Sequence, residues 1–194
     1  MPAVADRTRV TGARDLARTL LAPLGARWLH TIGVARRAAE VAVTLAPRDR
    51  GTLLVAAWLH DIGYSADAYD TGFHPLDGAA YLRMDGWPVR ICGLVAHHSG
   101  AAFLARVHGL EAELNQYPDE RSDVSEALTY ADQTIGEVGQ PLPIDERMAR
   151  MLARHGPDSA QSKVHHLRRP HLLAVAARVE RRLAAARRGS PRLA

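Results

Sequence analysis

Apolar residues recur at three- and four-residue steps along nearly the whole chain. No segment sustains the two-residue alternation, with β-branched or aromatic enrichment, that marks a half-buried strand. The pattern predicts helices near 13–22, 27–46, 49–61, 76–85, 88–98, 122–134, 143–155 and 171–188. Punctuation agrees with these bounds. Pro75 and Pro88 stand where first helical residues belong, and His155-Gly156-Pro157 reads as a helix stop. The longest irregular stretches fall near 62–74 and 110–121, the first carrying Gly63, Gly72 and several aspartates. The expected fold class is all-α, a single-domain helical bundle.

Composition supports one domain. A chain of 194 residues, 47% hydrophobic and 24% charged, can bury a core without disulfide or metal staples. Its one cysteine, Cys92, excludes an internal disulfide and a cysteine-rich zinc site, and it falls in an apolar helical pattern as a small core residue. No run approaches the ~20 apolar residues of a membrane span. Met1–Arg7 lacks the basic-then-apolar layout of a signal peptide, so a cytoplasmic location is the expectation.

Charge is unevenly placed. Residues 150–194 hold eleven of the 25 Lys/Arg and two of the 21 Asp/Glu, a local balance of +9 against −5 for the rest. Such asymmetry can attract phosphate or nucleic acid, although a solvated arginine-rich helix face accounts for it as well. In the last predicted helix Leu172, Val175, Ala176, Val179, Leu183 and Ala186 form one stripe, suited to core packing or to a homodimer contact.

The candidate chemistry begins at His60-Asp61, an ionisable pair closing the apolar run Leu53–Leu59 and followed by Ile62-Gly63. Burying such a pair is costly unless a partner, commonly a divalent metal, offsets the lost hydration. Successive helical residues diverge by about 100°, yet both arms can converge on one ion where a helix ends. His30 shares a face with Val34, Ala38, Val41 and Leu45, and Asp132 lies beside the stripe Val124, Leu128, Ala131 and Ile135, so both are directed inward. Two imidazoles and two carboxylates suit Mn, Fe, Co, Ni or Zn without selecting among them.

The order His30, His60-Asp61, His74, His97/His98, Asp132 resembles the H…HD…H…H…D series of the HD superfamily of metal-dependent phosphohydrolases, over about residues 27 to 135. His74-Pro75-Leu76-Asp77-Gly78 resembles the H-P-x-x-G element of HD-GYP proteins. Val95–Gly100 and Tyr130-Ala131-Asp132 resemble segments of the HD hydrolases that cleave symmetrical dinucleoside tetraphosphates. The resemblance implies an HD-type bundle with an N-terminal helical segment (1–26), a metal-binding core (27–135), C-terminal helices packed on it (136–188) and a tail (189–194). It implies that His30, His60, Asp61 and Asp132 bind metal, that Asp61 can bridge two ions, and that His74 and one of His97/His98 complete a dinuclear centre. Counting back from Gly100 favours His97, leaving His98 as a second-site or phosphate contact. The stripe Ile91, Leu94, Val95 favours His98. Two departures stand out: Tyr64 replaces the lysine common after the HD pair, and the Gly-Tyr-Pro element is absent after His98-Ser99.

The activity implied is hydrolysis of a small phosphorylated substrate, such as a nucleotide, by a metal-activated water. Arg36 or Arg37 could hold a phosphate, and Asp77 could orient His74 or serve as an acid or base. Mixed-valent di-iron oxygenases of the inositol oxygenase type share the ligand order and are the alternative. A non-catalytic regulator or nucleic-acid binder, resting on the +9 segment alone, ranks last.

Overall fold

The computed structural model describes residues 2–189, and the expected tail after Gly189 lies outside them. In chain order the helices are α1 (Pro2–Leu21), α2 (Ala26–Val41), α3 (Pro47–Leu59), α4 (His74–Met84), α5 (Val89–His97), α6 (Ala101–His108), the short α7 (Glu111–Leu114), α8 (Asp123–Gln133), α9 (Ile144–His155) and α10 (Ala160–Gly189). One antiparallel bridge, Ile135 to Pro141, is the only β pairing among the described residues. The architecture is all-helical.

The apolar run that ends in His60-Asp61 forms the centre of the bundle. Leu53, Val55, Ala56, Ala57 and Leu59 of α3 are buried, and α3 packs on α1, α2, α5 and α8. Both sides of the helix are therefore covered, which explains why this segment shows a run of apolar residues instead of a stripe. The last helix buries Leu172, Val175, Ala176 and Val179 against α8 and α6, so its stripe belongs to the core. Arg178 and Arg182 pair with Glu126 and Asp123 on α8, taking up part of the C-terminal positive charge.

α1 starts at Pro2, well before the predicted 13, and the short α7 falls in the expected irregular stretch 110–121; two further stretches also differ from the pattern. α10 starts at Ala160, running through Pro170, because Val164 on one side of the proline and Leu172 on the other are both buried and hold the segment in one helix. α6 occupies a stretch with no assigned element. Its eight residues lie between Gly100 and Gly109, both at positive φ, and are too short for a periodic signal.

Two glycine contacts position the segments that carry the histidines. A Cβ on Gly63 would lie 2.0 Å from the His74 carbonyl oxygen and 2.6 Å from the Gly78 nitrogen, so the turn after α3 rests directly on the start of α4. A Cβ on Gly33 would lie 2.6 Å from the Gly139 carbonyl oxygen, so α2 touches the turn that follows α8. Gly63→Ala should therefore destabilise the protein by about 1–3 kcal/mol, the usual range for overpacking. Thermal unfolding checks this, and a variant as stable as the parent would contradict the contact.

Candidate metal centre

Each metal-ligand candidate near the centre is delivered where a helix ends or by an inward helix face. α3 stops at Leu59. His60 keeps helical angles, but Asp61 turns away (φ −107°, ψ 6°) into a short 3-10 turn, Ile62–Tyr64. This break lets adjacent side chains converge. At the end of α5 a similar turn at His97, followed by Ser99 at φ 54° and Gly100 at φ 70°, carries His98 inward. A positive φ is strained for serine. Here it is held by a hydrogen bond from the Ser99 backbone N–H to Thr129 Oγ1 (3.1 Å) and by the Ser99 hydroxyl donating to Asp132 Oδ2. His30 on α2 and Asp132 on α8 point inward, as their faces predict, and His74 opens α4.

These side chains form two triads, His30–His60–Asp132 and Asp61–His74–His98, each with ligand atoms within 4.8 Å of one another. Asp61 links them. Its Oδ2 lies 3.4 Å from His60 Nε2 and 3.7 Å from His30 Nε2. Its Oδ1 lies 3.3 Å from His74 Nε2 and 3.9 Å from His98 Nε2. One carboxylate thus presents one oxygen to each triad.

The residues fit a pair of cations. Nδ1 of His30, His60 and His98 lies 2.9, 2.9 and 2.6 Å from the carbonyl oxygens of Gly136, Ala57 and Val95. A carbonyl only accepts, so Nδ1 carries the proton and Nε2 is left with its lone pair directed inward. His30 Nε2 then faces Asp132 Oδ1 at 3.0 Å, acceptor against acceptor, an arrangement relieved by a proton on Nε2 or by a metal ion held by both. His60 Nε2 is buried with no hydrogen-bond partner, an orphaned acceptor that a metal would satisfy.

Burial opposes a charged His60, but Asp61 and Asp132 outweigh it and raise its pKa, so a proton competes there for the place a metal would take. Burial works against a charged Asp61, but His60, Arg27 and His74 outweigh it and hold the carboxyl well below the usual carboxylate range. Burial likewise opposes ionisation of Asp132, and His30, His60 and Arg147 overcome it. Burial pushes the His74 and His98 imidazoles down, leaving them neutral near pH 7 with lone pairs free for coordination.

Above the triads a cleft is lined by Arg27, Tyr64, Arg147, Arg154, His155 and Arg168, together with Asp61, His74, His98 and Asp132. Arg27 donates to Asp61 Oδ2 at 2.7 Å and lies 3.9 Å from the centre of the Tyr64 ring, and that ring stacks on His74 with centroids 4.1 Å apart.

Several sequence expectations change here. His97 joins neither triad; its Nε2 is 3.0 Å from the Tyr117 carbonyl oxygen, and the position against Asp61 goes to His98. The structure follows the stripe Ile91, Leu94, Val95, which points to His98, and departs from the count back from Gly100. Arg36 and Arg37 do not line the cleft. Arg36 is exposed, and Arg37 is engaged by Glu40, Tyr130 and Thr134. Asp77 is buried, but it accepts from Thr71 N, Thr71 Oγ1 and Gly72 N. It pins the turn leading into His74 and does not line the cleft, so positioning replaces the acid–base role. Sequence reasoning missed Arg27, Arg147, Arg154, His155 and Arg168. Only Arg27, one helical turn before His30, carried a local signal.

Metal analysis of variants separates the two histidines. His98→Ala should lose about one metal equivalent per chain while His97→Ala keeps both; the reverse result would contradict the placement.

Comparison with known families agrees with this geometry. No curated protein and no solved structure matches the chain. The protein-family model described as HD domain matches residues 27–137, a span that contains every member of both triads. The chain therefore belongs to the HD domain family and carries its catalytic signature, that of a metal-dependent hydrolase.

Proposed function

We propose that the protein hydrolyses a phosphate ester or anhydride of a small molecule, with nucleotides the first class to test. The observation that carries this reading is the Asp61 carboxylate dividing its oxygens between two ligand triads beneath a cleft lined by arginines. His30, His60 and Asp132 would hold one divalent ion, and His74 and His98 the other, with Asp61 shared. When bound, such ions polarise a phosphoryl oxygen and make water a competent nucleophile near neutral pH.

The chain's own groups prepare this chemistry. The carbonyls of Gly136, Ala57 and Val95 hold the Nδ1 protons, fixing three rings in one tautomer. The Ser99 hydroxyl and Gln133 Nε2 (2.6 Å) donate to Asp132 Oδ2, leaving Oδ1 toward His30. Arg27 holds Asp61 Oδ2 and adds positive charge where an anionic phosphoryl group would sit.

The test is phosphate release from p-nitrophenyl phosphate and from nucleoside mono- and polyphosphates after reconstitution with manganese, iron, cobalt, nickel or zinc. Activity should need metal, survive strict anaerobiosis, and fall by at least 10²-fold in His60→Ala and Asp61→Ala. Turnover that stops without O₂ would instead favour oxygenase chemistry. Absence of phosphate release with every metal would overturn the reading.

A further inference from the structure

Three of the four arginines in the cleft come from outside the matched family region, and two of them are buried. Arg147 is on α9 and Arg168 on α10. Each residue is only 8% exposed. Arg147 Nε donates to the Ile135 carbonyl (2.7 Å), and Arg168 Nε to the Ser99 carbonyl (2.9 Å). Among the described residues no other hydrogen bond is made by either guanidinium. The nearest carboxylate to Arg147, Asp132 Oδ1, is 3.9 Å from Nη2, beyond hydrogen-bond length. A guanidinium has five N–H donors, so both forks keep their terminal nitrogens without a protein acceptor. Arg154 differs from them, because it is paired with Glu137.

Among the described residues Arg168 has no carboxylate partner and Arg147 has only the long contact to Asp132, so the burial of these two cations is weakly compensated. Burial lowers the Arg168 pKa from its ordinary value, Asp132 opposing the effect and Arg147 adding to it. Such a pair persists where it meets an anion. Position suggests which anion. Arg27 is bonded to Asp61, whereas Arg147 and Arg168 are grouped with Asp132 and Ser99, so cationic side chains flank both triads. Two carboxylates face three guanidiniums before any metal is counted, and divalent ions would widen the excess. One phosphoryl group leaves that excess largely uncompensated.

We infer that Arg147 and Arg168 form an anion subsite for a second phosphoryl group, making a di- or polyphosphate the favoured substrate class over a monoester. The inference rests on the phosphohydrolase reading and deepens it. The C-terminal helices, in this account, add recognition to a centre built by the family core. Each fork would bind a phosphate in bidentate fashion through the terminal nitrogens, while Nε stays on its carbonyl.

The test is calorimetric. Manganese-loaded protein is titrated with orthophosphate and with non-hydrolysable methylenediphosphonate, free manganese being equal in cell and syringe, and metal content is measured afterwards. The parent should prefer the diphosphonate by at least tenfold. Arg147→Gln and Arg168→Gln should each reduce that preference to below threefold with two metal equivalents retained. Arg168→Lys, which keeps a charge but no fork, should fall between. A parent without preference, or glutamine variants that keep it, would overturn the subsite. A preference lost only together with metal, and fully restored in Arg168→Lys, would also overturn it by assigning the arginine a structural role. The outcomes separate from those of the activity test: phosphate release with no diphosphonate preference refutes the subsite alone, and the preference without phosphate release from any substrate refutes the hydrolase reading alone.

Discussion

The structure turns on one buried carboxylate. Asp61 sits at the end of the central helix, within 4 Å of four imidazole nitrogens and bonded to Arg27. An isolated carboxylate in such a place would take up a proton or force the region open. Here it stays ionised because cationic and cation-seeking groups surround it, and that requirement explains much of the surrounding architecture. His30 and His60 approach one oxygen and His74 and His98 the other.

That demand sets what the backbone must do. The helix has to end at Leu59 so that His60 and Asp61 can aim at one point, and the following turn has to lie against α4 closely enough to bring His74 within reach. Gly63 permits that approach, and Asp77 holds the turn before His74 in place. On the opposite side Gly33 lets α2 meet the turn after α8, which brings the Gly136 carbonyl to His30 Nδ1. The kink through Ser99 does the same for His98 and ties it to Asp132 through the serine hydroxyl. The hydrogen bonds around the triads and the tight glycine contacts are thus one system, with the metal-binding geometry as its product.

Much of this was legible in the sequence, and the limits are physical. His30, His60, Asp61 and Asp132 could be placed because ionisable residues among apolar helix positions are costly and because their order resembles the HD series. The choice between His97 and His98 divided two local signals, the stripe favouring His98 and the count back from Gly100 favouring His97, and the kink that accompanies it is tied to Thr129, distant in sequence. The last helix starts well before the predicted 171 because buried neighbours on both sides of Pro170 keep it whole, and that packing has no local signature. The arginines of the cleft were hidden for another reason. Arg147 and Arg168 belong to a segment so rich in arginine that a buried guanidinium looks no different from a solvated one until the helices pack. Arg36 and Arg37 were the converse case, close to a ligand in sequence, yet the first is exposed and the second is engaged by Glu40, Tyr130 and Thr134.

The central claim, that Asp61 joins two cation sites, is tested most directly by diffraction from crystals of manganese- or iron-loaded protein at the metal absorption edge. The account predicts two anomalous peaks per chain, one among His30, His60 and Asp132 and one among His74 and His98, with an Asp61 oxygen bonded to each. A single peak, a peak coordinated by His97, or an Asp61 carboxylate bonded to neither ion would contradict it.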